Sequence, residues 1–428
     1  MSMDRRTLLG ILAGSGSLAV AGCIGVEDSG NGNGNGGSGN GNGDGSGNGS
    51  SDDSSSAGST GGDASFWYAL SESELAIVEE AIDDFSGESD YEIDGSDIAE
   101  LEDRLVSAIP TGEGPEVFNW AHDWVGDFAE SGFLSAQTDN IELDLEGTFT
   151  EAAAQAVQYD GDIYGVPTAA ETVALVYNRD MVDEPPETLE EMQEIMDEYH
   201  DPANGMYGLS FPLDPYFYSA FAHTFGGYYF DEEDLSLGLT DDDTIEGFRV
   251  ILEELDPYMP QDPEYDAQAA VFNEESAPFA INGPWFVGGL EFDHGVTTLP
   301  TVDGSQPSPY TGIRMLYFAS EMDNDEARAS AAREFVEWYA TNPELVTDIS
   351  EAQGFVPVLQ EAAESDDLSE SVQGYAESAD TGIPMPTHPN MNSVWEPVED
   401  AFLNAYTGDQ SLEDAMAEAE ERIESNWD

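Results

Sequence analysis

The sequence predicts an α/β fold with two domains, and three observations lead to this prediction. The residues from Ala64 to Asp428 have an ordinary globular composition and are too many for one small domain. Short apolar runs typical of strands alternate with segments whose apolar residues recur at helical spacing. The first two such segments form a strand, a tight turn and a helix, which is how an α/β unit begins. The alternation predicts parallel-rich sheets covered by helices.

The individual elements follow from the same patterns. The first strand is predicted at residues 66–70, which read FWYAL, and the first helix at 71–85. The apolar residues of that helix are Leu75, Val78, Ile82 and Phe85. Further helices are predicted at 98–109, 188–199, 327–339 and 412–423, and further strands at 173–177, 277–281 and 314–318. Residues 90–95 begin like a calcium loop, but Leu101 stands where the closing carboxylate belongs, so an acidic strand and turn is predicted there.

The N-terminal segment has the pattern of an export signal. Arg5 and Arg6 precede an apolar run that ends in VAGC at Cys23, the single cysteine of the chain. Residues 1–22 are therefore predicted to be a twin-arginine signal peptide, and Cys23 the lipidation site. A short transmembrane helix is the poorer alternative, because the apolar stretch is below the roughly 20 residues that span a bilayer.

A polar, low-complexity segment follows. Residues 29–63 consist almost entirely of Gly, Asn, Ser and Asp, so they lack the apolar side chains that a folded core needs. Residues 23–63 are predicted to be a lipid-anchored, flexible tether with a mean reach of about 35 Å. Such a protein would be held at the outer face of the cell membrane, which favours a role in capture or delivery.

The charge of the chain is extreme. Its 91 acidic residues stand against nine arginines and no lysine, and the formal net charge is −82. This composition excludes a basic nucleic-acid-binding surface. It predicts adaptation to high salt, because at molar salt the Debye length falls to about 3 Å and mutual repulsion is screened. With so many carboxylates, a close pair of Asp or Glu carries no information about catalysis.

The sequence contains few residues suited to catalysis or cofactor binding. Its five histidines are scattered, no second cysteine completes a zinc site, and a phosphate-binding loop of the usual kind would require lysine. We therefore predict no enzyme activity, no metal and no cofactor.

Aromatic and polar residues cluster at loop-like positions where predicted strands end. The clusters are NWAHDW at 119–124, DPYFY at 214–218, NGPWF at 282–286 and MNSVW at 391–395. A sugar ring has apolar CH faces that stack on aromatic rings and hydroxyl edges that hydrogen-bond carboxylates. Core packing explains one tryptophan better, but four clusters favour a sugar-binding cleft.

Several segments also carry a family resemblance, in the same order along the chain. They are GPEVFNWAHD at 114–123, SGFL at 131–134, PTAAE at 167–171, VYNRD at 176–180, FAINGPW at 279–285, GVTTLP at 295–300, and MP at 385–386 through MNSVW at 391–395. Together they resemble the maltose/maltodextrin-binding proteins of ABC importers, over nearly all of residues 66–423. The resemblance implies a monomeric extracellular solute-binding protein that delivers a neutral oligosaccharide to a permease.

The resemblance further implies the periplasmic-binding-protein-like fold, with two α/β lobes that close on a ligand cleft about a hinge. The first lobe would comprise residues 64–170 plus about 314–355, and the second about 174–310 plus 358–428. Carried over by position, the ligand-binding residues are Trp120, Asp123, Glu171, Asp214, Tyr216, Trp285 and Trp395. The carboxylates would accept hydrogen bonds from sugar hydroxyls, and the aromatic rings would stack on sugar rings.

The chain departs from the family pattern at several positions. Glu72 stands where the family has lysine, and Asp214 replaces a family glutamate. Trp124 and Glu399 stand where arginine is expected. Trp124 is predicted to add a stacking surface and joins the ligand-binding residues. These changes leave the identity of the sugar open.

Two other functions remain possible at the level of the sequence. A secreted glycoside hydrolase would need two carboxylates flanking the glycosidic bond, for which Asp123 and Glu171 are the candidates. A non-catalytic surface adhesin would bind polysaccharide and prefer long polymers. An anionic ligand is disfavoured, since seven arginines remain after removal of the signal peptide.

Overall fold

The computed structural model describes residues 62–427 apart from residues 71, 364, 366 and 367, and its strands form two main β-sheets. The predicted signal peptide, Cys23 and most of the predicted tether lie outside the described residues. Within the described part of the chain, no helix has the length and apolar character that crossing a membrane requires.

The larger sheet is mixed. In spatial order its strands are Val356–Pro357, Gly165–Glu171, Tyr310–Phe318, Val117–Ala121, Asp63–Tyr68 and Glu92–Asp97, with Ile383–Pro384 paired to the start of Tyr310–Phe318. Asp63–Tyr68 runs parallel to both of its neighbours. Tyr310–Phe318 runs antiparallel to both Gly165–Glu171 and Val117–Ala121.

The smaller sheet is also mixed. In spatial order its strands are His294–Thr297, Ala174–Asn178, Phe279–Asn282 and Leu209–Ser210. The last two pair in parallel, and the other neighbours pair antiparallel. Two short antiparallel pairs lie outside these sheets, Gln158–Tyr159 with Asp162–Ile163 and Phe230–Asp231 with Ser236–Leu237.

The predicted parallel-rich sheets are therefore wrong, and the path of the chain gives the reason. Gly165–Glu171 ends beside the gap between the two sheets, where the chain leaves for the smaller sheet. The chain returns to the larger sheet at Tyr310, beside the same gap, so Tyr310–Phe318 must run in the opposite direction to the strand that left. The alternation of strand and helix patterns in a sequence does not show that the chain crosses to a second sheet and later returns to the first.

Helices cover both sheets. They are Glu72–Glu88, Leu101–Ala108, Val125–Glu130, Leu145–Thr148, Glu151–Ala156, Leu189–Tyr199, Pro215–Ala222, Asp242–Arg249, Tyr265–Asn273, Pro284–Val287, Glu326–Thr341, Pro343–Gln353, Gln360–Ala363, Glu370–Asp380, Trp395–Tyr406 and Leu412–Trp427. Short 3₁₀ segments lie at Ile109–Thr111, His122–Trp124, Pro202–Asn204, Asp256–Tyr258, Ser320–Asn324 and Pro389–Ser393, and a π-helical segment at Val250–Leu255.

The long predicted elements are confirmed, with shifted ends. The strand predicted at 66–70 is Asp63–Tyr68, and the helix predicted at 71–85 is Glu72–Glu88. The helices predicted at 98–109, 188–199, 327–339 and 412–423 are Leu101–Ala108, Leu189–Tyr199, Glu326–Thr341 and Leu412–Trp427. The strands predicted at 173–177, 277–281 and 314–318 are Ala174–Asn178, Phe279–Asn282 and Tyr310–Phe318, and the acidic strand is Glu92–Asp97.

The first passage between the sheets is short and buried. Strand Gly165–Glu171 belongs to the larger sheet, and the next strand, Ala174–Asn178, belongs to the smaller sheet. Only Thr172 and Val173 link the two strands, and both residues are buried. The Thr172 hydroxyl donates to the carbonyl oxygen of Tyr310 (3.0 Å), where the chain returns. This hydrogen bond joins the departing and the returning segments at the point where the chain passes between the two sheets. The lobe boundaries implied by the family resemblance stay predictions.

Candidate functional site

A turn after strand Val117–Ala121 carries three of the predicted site residues. Trp120, Asp123 and Trp124 are all buried. The Trp120 and Trp124 rings stack with centroids 4.7 Å apart, and Trp124 stacks in turn on Phe128 at 5.1 Å. Trp124 therefore supports the Trp120 ring from within the first lobe. Its predicted contact with a ligand stays a prediction.

His122 fixes this turn against the returning strand. Its Nδ1 accepts a hydrogen bond from the backbone N–H of Ile313 (3.0 Å). Its Nε2 lies 3.0 Å from the carbonyl oxygen of Met385. Because Nδ1 is the acceptor, the proton must reside on Nε2, which then donates to Met385. One buried imidazole thus holds together the turn, the returning strand and the segment at Ile383–Pro384.

Glu171 lies at the end of the departing strand, opposite Gly312 in the ladder. A Cβ at Gly312 would lie 3.0 Å from both Cγ and Oε1 of Glu171, so glycine leaves the space that this side chain occupies. The hydroxyl of Tyr216, on helix Pro215–Ala222, donates to the carbonyl oxygen of Glu171 (3.2 Å). The carboxyl end of this strand therefore contacts that helix directly.

Helix Pro215–Ala222 begins at a capping residue and packs against aromatic rings. Asp214 caps helix Pro215–Ala222, its Oδ1 accepting from the backbone N–H of Tyr216 (2.8 Å). The Trp285 ring lies 6.3 Å from the Tyr216 ring. A Cβ at Gly283 would lie 2.2 Å from the Trp285 ring, so a side chain there would force the ring to move. Glycine at position 283 therefore allows Trp285 its observed position.

Tyr265 anchors the same aromatic group from below. Its ring lies 6.2 Å from the Phe217 ring, which in turn lies 6.0 Å from the Trp285 ring, and its hydroxyl is buried. Burial raises the pKa of Tyr265, so the hydroxyl stays neutral.

Trp395 begins the helix Trp395–Tyr406 and is half-buried against a second aromatic group. Its ring lies 5.9 Å from the Tyr310 ring and 6.5 Å from the Tyr229 ring. His223 packs on Tyr310 at 4.6 Å and donates from Nδ1 to the carbonyl oxygen of Ser308 (2.8 Å). Burial lowers the pKa of His223 to about 4, so this imidazole is neutral.

The structure thus places the predicted residues in three contact groups. Trp120 and Trp124 form one, and Asp123 lies in the same turn. Glu171, Asp214, Tyr216 and Trp285 form the second, and Trp395 belongs to the third. The sequence reasoning missed the supporting residues His122, Gly283, Tyr229, His223, Tyr265 and Tyr310. Of these, Gly283 had a signal, since a glycine directly after a buried strand often marks a close backbone approach.

Two backbone contacts join residues that the predicted boundaries assign to different lobes. In the first, a Cβ at Gly126 would lie 2.2 Å from the carbonyl oxygen of Thr387. Beside it the Asn392 amide donates to Asp127 Oδ2 (2.9 Å). In the second, a Cβ at Gly288 would lie 2.6 Å from the carbonyl oxygen of Ala352. At both positions glycine permits close contact between backbones.

The second-lobe partner of Gly126 is held in place by a hairpin. Glu232, in the turn between Phe230–Asp231 and Ser236–Leu237, accepts hydrogen bonds from the backbone N–H groups of Thr387 and His388 (3.1 and 3.2 Å). Within residues 383–395, Ile383–Pro384 pairs with the returning strand and Asn392 contacts Asp127. The segment ends at Trp395, where the next helix begins. Among the described residues, no three His, Cys, Asp or Glu side chains are placed to hold a metal ion.

Comparison with known proteins gives a family. The family model of the bacterial extracellular solute-binding proteins matches residues 80–376. A maltotriose-binding protein of Pyrococcus abyssi is 38% identical over 346 residues, which are 78% of this chain and 76% of that protein. A galactooligosaccharide-binding protein of Bacillus subtilis is 25% identical, covering 75% and 79% of the two chains.

A third relative is a maltooligosaccharide ABC transporter solute-binding lipoprotein of Streptococcus pneumoniae. It is 24% identical over 344 residues, which are 74% of this chain and 77% of that protein. The match to the family model and the identity to the Pyrococcus protein both extend over most of the two-sheet region described above. This chain belongs to the bacterial extracellular solute-binding protein family, and its fold is the two-lobed one of that family, with the cleft between the lobes.

Proposed function

We propose that this protein captures neutral oligosaccharides of the maltodextrin type outside the cell and delivers them to the permease of an ABC importer. The proposal is supported by the maltotriose-binding and maltooligosaccharide-transporting relatives. The observation that carries it is the contact group of Glu171, Tyr216 and Trp285, in which the Tyr216 hydroxyl donates to the backbone carbonyl oxygen of Glu171 and the Tyr216 ring lies 6.3 Å from the Trp285 ring. A residue with a carboxylate side chain is thereby held next to two aromatic rings. Such a group suits a pyranose, with its apolar faces and hydroxyl edges.

The pairing of the arginines favours a neutral ligand. In the part of the chain that the structure describes, every arginine already has a carboxylate or an aromatic ring as partner. The partners are Trp67 for Arg104, Asp293 and Glu370 for Arg179, Glu246 and Glu413 for Arg249, Glu74 for Arg314, Glu116 for Arg328, Glu326 for Arg333, and Glu396 and Asp400 for Arg422. To pair with one of these arginines, an anionic ligand would therefore have to displace the carboxylate or the aromatic ring that the arginine already contacts.

The proposed ligand contacts are the eight residues that the sequence singles out. They are Trp120, Asp123, Trp124, Glu171, Asp214, Tyr216, Trp285 and Trp395. The protein acts without catalysis, as a monomer that Cys23 anchors by a lipid to the outer face of the membrane after twin-arginine export. Mass spectrometry of the mature N-terminus tests the anchor.

Intrinsic fluorescence of the full chain in molar KCl tests the ligand. Maltose, maltotriose, galactooligosaccharides and cellotriose are titrated into the protein and into Trp395→Phe. Trp338→Phe is the matched control, because Trp338 packs on Phe85 in the first lobe, away from the predicted ligand contacts. We expect saturable binding of maltotriose that Trp395→Phe weakens and Trp338→Phe leaves unchanged. A folded protein that binds none of the glucans would contradict the proposal.

The hydrolase and adhesin alternatives have distinct signatures. A hydrolase with Asp123 and Glu171 as its carboxylates would release reducing ends from maltodextrin. An adhesin would bind long polysaccharide in preference to maltotriose. We expect neither result, since the relatives are named as transport and binding proteins.

A further inference from the structure

The returning strand contains a buried charge that the predicted site does not use. Arg314 is 5% exposed and lies in the middle of Tyr310–Phe318. Its guanidinium donates to Glu74 Oε1 (2.7 Å) and to Asn119 Oδ1 (2.7 Å), and lies 4.6 Å from the Phe355 ring. A buried ion pair is a costly way to stabilise a fold, since apolar residues of similar volume often do as well or better. This cost suggests a role beyond packing.

The same polar groups line a pocket. Glu74, Asn119 and Arg314 face it from three different elements, and apolar side chains including Leu70, Ile349 and Phe355 form its other walls. The pocket is partly enclosed, and its space suits a group about the size of a water molecule or two rather than a whole sugar ring. It can therefore receive a hydroxyl or a hydroxymethyl group.

The ladder connects this pocket to Glu171. Glu171 pairs with Gly312 and Ala169 pairs with Arg314, so Glu171 and Arg314 are diagonal neighbours on one face of the sheet. Such neighbours lie about 7–8 Å apart and are within reach of long side chains. Burial alone would lower the pKa of Arg314, but the carboxylates of Glu74 and Glu171 more than offset it and raise that pKa. Arg314 therefore lies within electrostatic reach of Glu171, one of the proposed ligand contacts.

A β-bulge marks the same place. Arg314 pairs with Ala169 and Met315 with Pro167, so Thr168 is an extra residue in its strand. The Thr168 hydroxyl donates to the carbonyl oxygen of Arg314 (3.2 Å), and Thr168 also lines the pocket. Bulges bend a strand and re-aim its side chains, and they are frequent beside functional sites.

We propose that Arg314, with Glu74 and Glu171, forms a subsite that recognises a terminal hydroxyl or hydroxymethyl group of the bound oligosaccharide. Arg314 donates to the ligand oxygen, and a carboxylate accepts the ligand's own hydroxyl proton. One guanidinium between two carboxylates leaves a net charge of −1, so the subsite selects a neutral hydroxyl, which can both donate and accept, over an anion. The inference rests on the proposed function.

The test uses the full chain, maltotriose, and a series of maltotrioses that each lack one hydroxyl. The double variant Glu74→Gln/Arg314→Gln removes both charges of the hydrogen-bonded pair together, so neither Glu74 nor Arg314 is left as a buried charge without the other. Arg422→Gln is the matched control, because Arg422 pairs with Glu396 and Asp400 at the exposed surface of the second lobe. Arg314→Lys is a second variant that keeps the charge and loses the planar fork.

We expect the wild type to bind one particular deoxy sugar roughly 10–100-fold more weakly than maltotriose, the range for a hydrogen bond to a charged group. The double variant and Arg314→Lys should bind maltotriose more weakly, with no further loss for that deoxy sugar. If a folded variant keeps the wild-type ratio for every deoxy sugar, Arg314 is structural and the inference is wrong. If the wild type binds no maltotriose, the proposed function has failed instead.

Discussion

Gly126 packs directly against the backbone of Thr387. A Cβ at Gly126 would lie 2.2 Å from the Thr387 carbonyl oxygen and 2.9 Å from Pro389 Cδ. The contact can therefore form only while position 126 has no side chain. The predicted boundaries place these two residues in different lobes, so we expect the contact to be lost when the lobes move apart.

Gly126→Ala should therefore weaken ligand binding without touching a proposed ligand contact. Overpacking of this kind costs about 1–3 kcal/mol, which corresponds to roughly 5–150-fold in affinity. Fluorescence titration measures the affinity, and small-angle scattering measures whether the lobes stay apart. Gly87→Ala is the control, since a Cβ there meets nothing within 4 Å. Equal affinity and equal radius of gyration in both variants would refute the role of Gly126.

Gly283→Ala should displace the Trp285 ring, because the new Cβ would overlap it. The displaced indole would also lose its packing against the Tyr216 and Phe217 rings. We expect a folded protein with a shifted emission maximum and at least tenfold weaker sugar binding. The control is Gly289→Ala, where a Cβ would lie 3.7 Å from the Phe286 carbonyl oxygen, an ordinary contact. A normal titration curve for Gly283→Ala would show that Trp285 does not need its observed position.

His223 should make stability fall as the pH is lowered. Its pKa is about 4 in the folded protein and 6.5 ordinarily, because burial disfavours the charged ring. Between these two values the unfolded chain binds the proton more readily, so the free energy of unfolding decreases as the pH falls from 6.5 to 4. The contribution is about 3 kcal/mol.

Comparison with His223→Asn isolates this contribution from that of the carboxylates. The Asn amide can still donate to the carbonyl oxygen of Ser308 but does not titrate. We expect the difference in urea unfolding free energy between the two proteins to shrink steadily from pH 7 to pH 4 in molar KCl. A constant difference over this range would contradict the lowered pKa.

Glu321→Gln should stabilise the protein at neutral pH. Burial raises the pKa of Glu321, and the neighbouring Glu116 adds to the effect, while the backbone N–H of Gly114 donates to Oε1 (3.1 Å). Glutamine keeps that acceptor and removes the charge, so we expect a gain on the order of 1 kcal/mol at pH 7.

The gain should vanish at low pH, where Glu321 takes up a proton and its charge is lost in the wild type as well. Chemical unfolding at pH 7 and pH 4 provides the comparison. Glu326→Gln is the control, because Glu326 is exposed and pairs with Arg333 at the surface. A gain that persists unchanged at pH 4 would mean that packing rather than charge is responsible.

The sequence predicted the long elements well because their periodic apolar residues face a single core. Val78, Ile82 and Phe85 are buried as expected on helix Glu72–Glu88. The first half of Tyr310–Phe318 was missed because it contains Thr311 and Gly312, which interrupt the apolar pattern. Gly312 leaves the space that the Glu171 side chain occupies, and this contact between neighbouring strands does not show in the local apolar pattern.

The candidate site was predicted in part. The family motifs supplied seven of its eight residues, and Trp124 was added where the chain departs from the family pattern. The aromatic support of Trp395 by Tyr229 and Tyr310 depends on contacts between distant segments, which periodicity does not report. Arg314 did have a signal, because it is the one charge in the apolar run GIRMLYF. A charge in the middle of a buried strand requires a partner, and here that partner is Glu74.

The segment 383–395 has a consequence for energetics. It pairs with the returning strand, is held by Glu232, contacts Gly126 and ends at Trp395. A ligand that contacts Trp395 and a protein partner that contacts the outer face of this segment would both shift the position of the same segment. Their binding free energies would then be linked. If the sugar changes the affinity for a permease by some factor, the permease must change the affinity for the sugar by the same factor.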